Sequence, residues 1–156
     1  MRSIPIELAV AAAVIGSVAF LGEGPPSHQG RSSPQLEWSS RALPEITVLV
    51  GDLTTLQSDS AAGAEGLAAG TALTVDSARL QHDIAAARAL PAPPSEGLRP
   101  EWSSAILRLD SVVSASGRLE ALQKESVADR EWAANELEAA VGQAVQSLLR
   151  LAASTR

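Results

Sequence analysis

The sequence predicts an all-α protein: a single N-terminal transmembrane helix followed by an up-down helical bundle of about four helices. Three observations lead there. Residues 4–22 (IPIELAVAAAVIGSVAFLG) are almost unbroken apolar sequence, and about 20 such residues cross the roughly 30 Å hydrocarbon core of a bilayer as a helix. The remainder is rich in the strong helix formers Ala, Leu, Glu, Gln and Arg, whereas aromatics are 3% and Tyr is absent, so the Tyr/Phe/Ile-rich runs that fill strands are missing. Leu, Ile and Val then recur at three- and four-residue steps, the stripe of an amphipathic helix.

The first element is the anchor, residues 1–22. Pro5 suits the first turn, where a missing N–H costs nothing. Glu7 is the one ionisable residue of the run. In the first turn it reaches the interface and its carboxylate complements the helix N-terminus, although an intramembrane carboxylate also makes it a candidate partner contact. Ala9, Ala12, Ala13 and Gly16 fall on one face, and small residues at that spacing let a second transmembrane helix approach closely. Ser17-Val18-Ala19 offers a small-x-small signal cleavage site. Against cleavage, the apolar run continues through Phe20-Leu21 and Glu7 interrupts what would be a signal core, so the segment reads as retained. Arg2 on one flank and Glu23 on the other place the N-terminus in the cytoplasm and the body of the protein in the periplasm or outside the cell.

Residues 23–33, rich in Gly, Pro and Ser, form a connector that holds the body off the bilayer. A second breaker, residues 91–100, divides residues 34–156 into two similar parts, hairpin one (34–90) and hairpin two (101–152). The parts share landmarks. Glu37-Trp38-Ser39-Ser40 recurs as Glu101-Trp102-Ser103-Ser104, and the block from Gly51 to Gln57 is matched by Gly117 to Gln123. Two ordered matches point to an internal duplication of an αα-hairpin.

In hairpin one, Leu43, Ile46, Val50, Leu53 and Leu56 make the inward stripe of the first helix. Ser32 or Ser33 caps it, with Pro34 in the first turn. Pro44 should kink or break it near Leu43. The return helix runs from about Leu67 to Leu90 with Leu73, Leu80 and Ile84 inward, and Gly63, Gly66 and Gly70 mark the turn or a close backbone approach. In hairpin two, Ile106, Leu109, Val112 or Val113, Leu119 and Leu122 form one stripe. Trp132, Leu137, Val141, Leu148 and Leu151 form the other. The join around Lys124–Arg130 lacks Gly and Pro. Ser126-x-x-Asp129 resembles a helix cap there, but one continuous helix fits the periodicity too.

Trp38, Trp102 and Trp132 are the large fillers available to a Leu/Val/Ala core. A buried indole needs a partner for its N–H, so at least one is expected at the surface, where it becomes a candidate partner contact.

Chemistry is sparse. With no Cys there is no disulfide, thiol nucleophile or Cys-type zinc site. His28 and His82 lack the HExxH or paired ExxH spacing of a metal site, and none is expected. Asp76, Arg79, His82 and Asp83 read as a salt-bridged, solvated helix face with an Arg79–Asp83 pair at i,i+4. Glu125, Asp129, Glu131, Glu136 and Glu138 read as solvating charge. No phosphate-binding Gly loop, GxSxG or haem motif is present, and neither catalysis nor a cofactor is expected. A net charge of −6, with Lys124 the single Lys and the Arg residues dispersed, argues against a nucleic-acid partner. The expectation is a non-catalytic, single-pass accessory, structural or assembly subunit of a larger membrane complex, with integral membrane proteins and the bilayer as partners. An extracytoplasmic sensory or ligand-binding four-helix module, or a secreted bundle after cleavage, are the rivals.

Overall fold

The computed structural model describes residues 33–65 and 68–155, and the side chains of all of these except 62–65 and 68–70. They belong to one compact unit, Ser32–Arg156. Residues 1–32, on which the expected transmembrane anchor falls with Glu7, Ala9, Ala12, Ala13 and Gly16, lie outside the described residues. Among the described residues there is no strand, and no helix is long and apolar enough to cross a membrane.

Four α-helices make the unit: α1 (Pro34–Glu65), α2 (Ala68–Arg88), α3 (Leu98–Ala121) and α4 (Val127–Ser154). Ser33 starts α1, its Oγ accepting from Leu36 N at 3.3 Å and its carbonyl from Glu37 N at 3.1 Å. These bonds satisfy N–H groups that have no partner within the helix. The helix does not break at Pro44, contrary to the expectation from sequence, but runs through it. Ala42, Ile46, Leu49, Leu53 and Leu56 are all buried, so core packing on both sides holds the segment helical. Pro44 and Ser40, whose carbonyl loses its donor, are both exposed. The inward stripe is therefore drawn by Leu49 as well, while Leu43 and Val50 sit at its edge, partly buried.

α1 ends at Glu65 and α2 begins at Ala68, with Gly63 inside α1 and Gly70 inside α2, while Gly66 and Leu67 lie outside the described residues. Leu73, Ser77, Leu80, Ile84 and Ala87 face inward from α2. The chain leaves α2 through tightened bonds from Ala89 N and Leu90 N to the carbonyls of Ala86 and Ala87. Pro91 and Pro93 then carry it across the end of the bundle. Pro93 is buried, and its carbonyl accepts from Arg99 Nε at 3.0 Å.

Helix α3 begins at Leu98, ahead of Pro100, which sits in the first turn where an N–H would be unpaired in any case. The join that the sequence left open is a hairpin. Leu122–Lys124 tighten into a 3-10 turn, and Ser126, in an extended conformation, caps α4 by accepting from Asp129 N at 3.2 Å.

Each helix packs on two neighbours. α1 lies against α2 and α4, and α3 against α2 and α4, so α1 and α3 stand across the diagonal of an up-down bundle. The α3–α4 seam is the most extensive and the α2–α3 seam the thinnest. The core is Leu, Val and Ala layers, with Leu49, Leu53, Leu56, Leu73, Leu80, Leu109, Leu119, Leu137, Leu148 and Leu151 withdrawn from water. At the end where α1 starts, Ser39 Oγ donates to the carbonyl of Thr155 at 3.3 Å and ties the C-terminus of α4 down.

Candidate functional site

The structure separates the three tryptophans. Trp38 and Trp102, offered by the sequence both as core fillers and as possible partner contacts, lie in the core, 3% and 8% exposed. They meet across the bundle diagonal, and Trp38 Nε1 donates to the carbonyl of Pro91 at 2.8 Å, which removes the cost of burying its N–H. Trp132, placed in the inward stripe of α4 by sequence, is instead 59% exposed. The inward frame of α4 is Ala133, Leu137, Val141, Ala144 and Leu148, and Trp132, one residue ahead of it, is turned about 100° away. Ala133 and Ala134 take the buried positions beside it. Trp132 thus stays a candidate contact surface, near the exposed Val127 in sequence.

The charged residues are arranged differently from the sequence reading. Arg79 pairs with Asp76 at 3.2 Å and not with Asp83. Asp83 instead faces Asp52 of α1 across the helix seam, and Asp76 faces Asp59. Asp52 and Asp59 are seven residues apart, as are Asp76 and Asp83, so two antiparallel helices bring them opposite each other as a two-rung ladder of carboxyl pairs. Asp52 Oδ2 and Asp59 Oδ2 are withdrawn from water and, while the facing carboxyls are ionised, meet no hydrogen-bond donor. Burial, and then the hydrogen bond and negative charge of Asp83, push the Asp52 carboxyl up to about 6, with Asp76 adding and Arg79 opposing. Asp59 is raised too, first by its hydrogen bond with Asp76 and then by burial. The sequence reading passed over Asp52 and Asp59; their shared spacing with Asp76 and Asp83 was the available signal.

The acidic stretch of α4 is mostly solvated, with Glu136 drawn into a 2.6 Å pair with Arg118 of α3. His82 is exposed. Among the described residues no three or more His, Asp or Glu side chains converge to hold a metal ion. An open groove of about 400 Å³ between α1 and α4 is lined by Gln57, Ser60, Ala61, Glu131, Asn135 and Glu138. Its polar groups are two amides, a hydroxyl and two carboxylates, an anionic lining with no counter-charge for an anion.

No family model matches the chain, and no curated protein or solved structure is significantly similar to it.

Proposed function

We propose that this protein is a non-catalytic helical bundle tethered to a membrane by residues 4–22, acting as an accessory, structural or assembly subunit of a larger membrane complex. The observation that carries the reading is the pairing of two properties in one chain. The four helices bury one another's apolar stripes and form a core complete in itself. The N-terminal run, by contrast, is long enough to cross a bilayer, with a small-residue face at Ala9, Ala12, Ala13 and Gly16 for a neighbouring helix. The body would stand on the periplasmic or outer side, with Trp132 the large aromatic available to a partner.

Carbonate washing of membranes, followed by purification in mild detergent, tests the proposal. It expects the protein to stay with the membranes and to elute with integral membrane proteins in fixed ratio. Extraction by carbonate, a mature mass beginning at Phe20, or a lone monomer in detergent would overturn it.

A further inference from the structure

We propose that α2 is held by an acid-tightened seam: the facing pairs Asp52–Asp83 and Asp59–Asp76 each take up a shared proton as the pH falls, locking α2 onto α1, and release it as the pH rises, loosening that helix. The inference concerns the bundle alone and stands whether or not the N-terminal run is a membrane anchor.

The geometry requires a proton. A carboxylate has acceptors and no donor, so two facing carboxylates repel, whereas one proton between them makes a short, charge-assisted hydrogen bond. Asp52 Oδ2 and Asp59 Oδ2 are out of water and, while the facing carboxyls are ionised, lack any donor, and a shared proton is the donor this seam can recruit without rearrangement. The nearby cation, Arg79, is committed to Asp76 and lies on a side chain 55% exposed, so one charge is set against four carboxyls. The two rungs act in concert because they bracket the same stretch of the seam, Leu53 and Leu56 on α1 with Leu80 and Ser77 on α2.

Other charges around the two helices do not neutralise the ladder. Across its thin seam with α2, α3 brings Asp110, which is engaged by Arg88 at 2.5 Å. From α4, Glu131 and Glu138 reach the groove beside Gln57 and Ser60 on α1, adding negative charge. His82, next to Asp83, points to solvent.

The direction follows from linkage. Asp52 rises from 3.8 to about 6 in the folded protein, so between those values the native state binds more protons than the unfolded chain. Stability therefore increases as pH falls through that window and is lost as pH rises through about 6, the reverse of an ordinary salt-bridged carboxylate. The effect falls on α2 because its other seam, with α3, is the thinnest in the bundle. α1 and α4 have broader support.

The test is hydrogen exchange of the full-length protein at pH 7 and pH 5, with rates converted to protection factors so that the intrinsic pH dependence of exchange cancels. Protection of α2 amides should rise several-fold at pH 5 relative to those of α4. The double variant Asp52→Asn, Asp59→Asn supplies an amide donor to each pair, and should show α2 protection at pH 7 near the wild-type value at pH 5, with no further gain on acidification. Asp83→Asn, altering the rung from α2, serves as a second variant and should remove part of the pH dependence. Equal changes in α2 and α4, no change in α2, or a full pH response in the double variant would each overturn the proposal. A carboxyl titration of Asp52 followed by carbon NMR gives an independent reading: a midpoint near 6 is expected, and one in the ordinary range near 4 would overturn it.

Discussion

Trp38 and Trp102 meet edge to face, with ring centroids 5.6 Å apart and planes at 90°. They sit at corresponding places in the two EWSS motifs, one turn into α1 and α3, the helices that stand diagonally in the bundle. Two indoles thus close the end of the bundle where Leu or Ala pairs could not reach across. The Pro91 carbonyl, bound by Trp38 Nε1, fixes the α2–α3 connection over them. Truncating either ring to Ala should cost about 3 to 5 kcal/mol in urea unfolding. Trp38→Phe should cost less, because it keeps most of the packing and loses one hydrogen bond. A double-mutant cycle between the two positions should return a coupling of about 0.5 to 1.5 kcal/mol. Zero coupling would mean that the rings pack independently.

Pro44 is carried by α1 at the expense of helix stability. Its neighbours Ala42 and Ile46 are buried, whereas Pro44 itself is exposed. Pro44→Ala restores one backbone N–H to the helix and removes the steric conflict with the preceding turn without touching the core. It should stabilise the protein by about 1 to 3 kcal/mol, read as a higher urea midpoint at unchanged slope. A loss of stability would show that the bundle uses a distortion at this point.

The four helices could be read from the sequence because each has a three-to-four spacing of Leu, Ile or Val, and the breakers at 91–100 mark the middle connection. What could not be read was the choice among residues one position apart. Leu49 and Val50 are both apolar, and only the packing of α1 against α2 and α4 decides that Leu49 is buried and Val50 partly so. The same one-residue ambiguity turned Trp132 out of the core in favour of Ala133. The carboxyl ladder was missed for a different reason. Asp76 and Asp83 were matched to charges on their own helix, where i,i+4 pairing is a local rule, while their partners Asp52 and Asp59 come from α1 and depend on the hairpin register.

Ser77 Oγ and Ser116 Oγ are 2.9 Å apart in the buried α2–α3 seam, and Ser116 also donates to the Val113 carbonyl at 2.9 Å. The two substitutions should therefore differ. Ser116→Ala removes the cross-helix partner of Ser77 and should cost about 1 to 2 kcal/mol. Ser77→Ala leaves Ser116 its bond to Val113 and should cost less. The double Ala variant should cost less than the sum of the two, because no hydroxyl is then left buried without its partner. Strict additivity in thermal or urea unfolding would rule out a bond between them.

Trp132 offers the sharpest separation of folding from association. It is 59% exposed on a helix whose inward face is filled by Ala, Leu and Val, so Trp132→Ala should move the unfolding free energy by no more than about 0.5 kcal/mol. An exposed indole is also the residue type that most often anchors a protein interface. Under the proposed subunit role, the same substitution should weaken retention of the co-purifying membrane proteins by about tenfold or more, equivalent to about 1.4 kcal/mol. Acrylamide quenching supplies the control. In the isolated protein one strongly quenched emission component should vanish with Trp132→Phe, leaving the shielded pair Trp38 and Trp102. In the complex that component should already be protected. Quenching that is equal in the free and assembled protein, with retention unchanged in the Ala variant, would remove Trp132 from the interface.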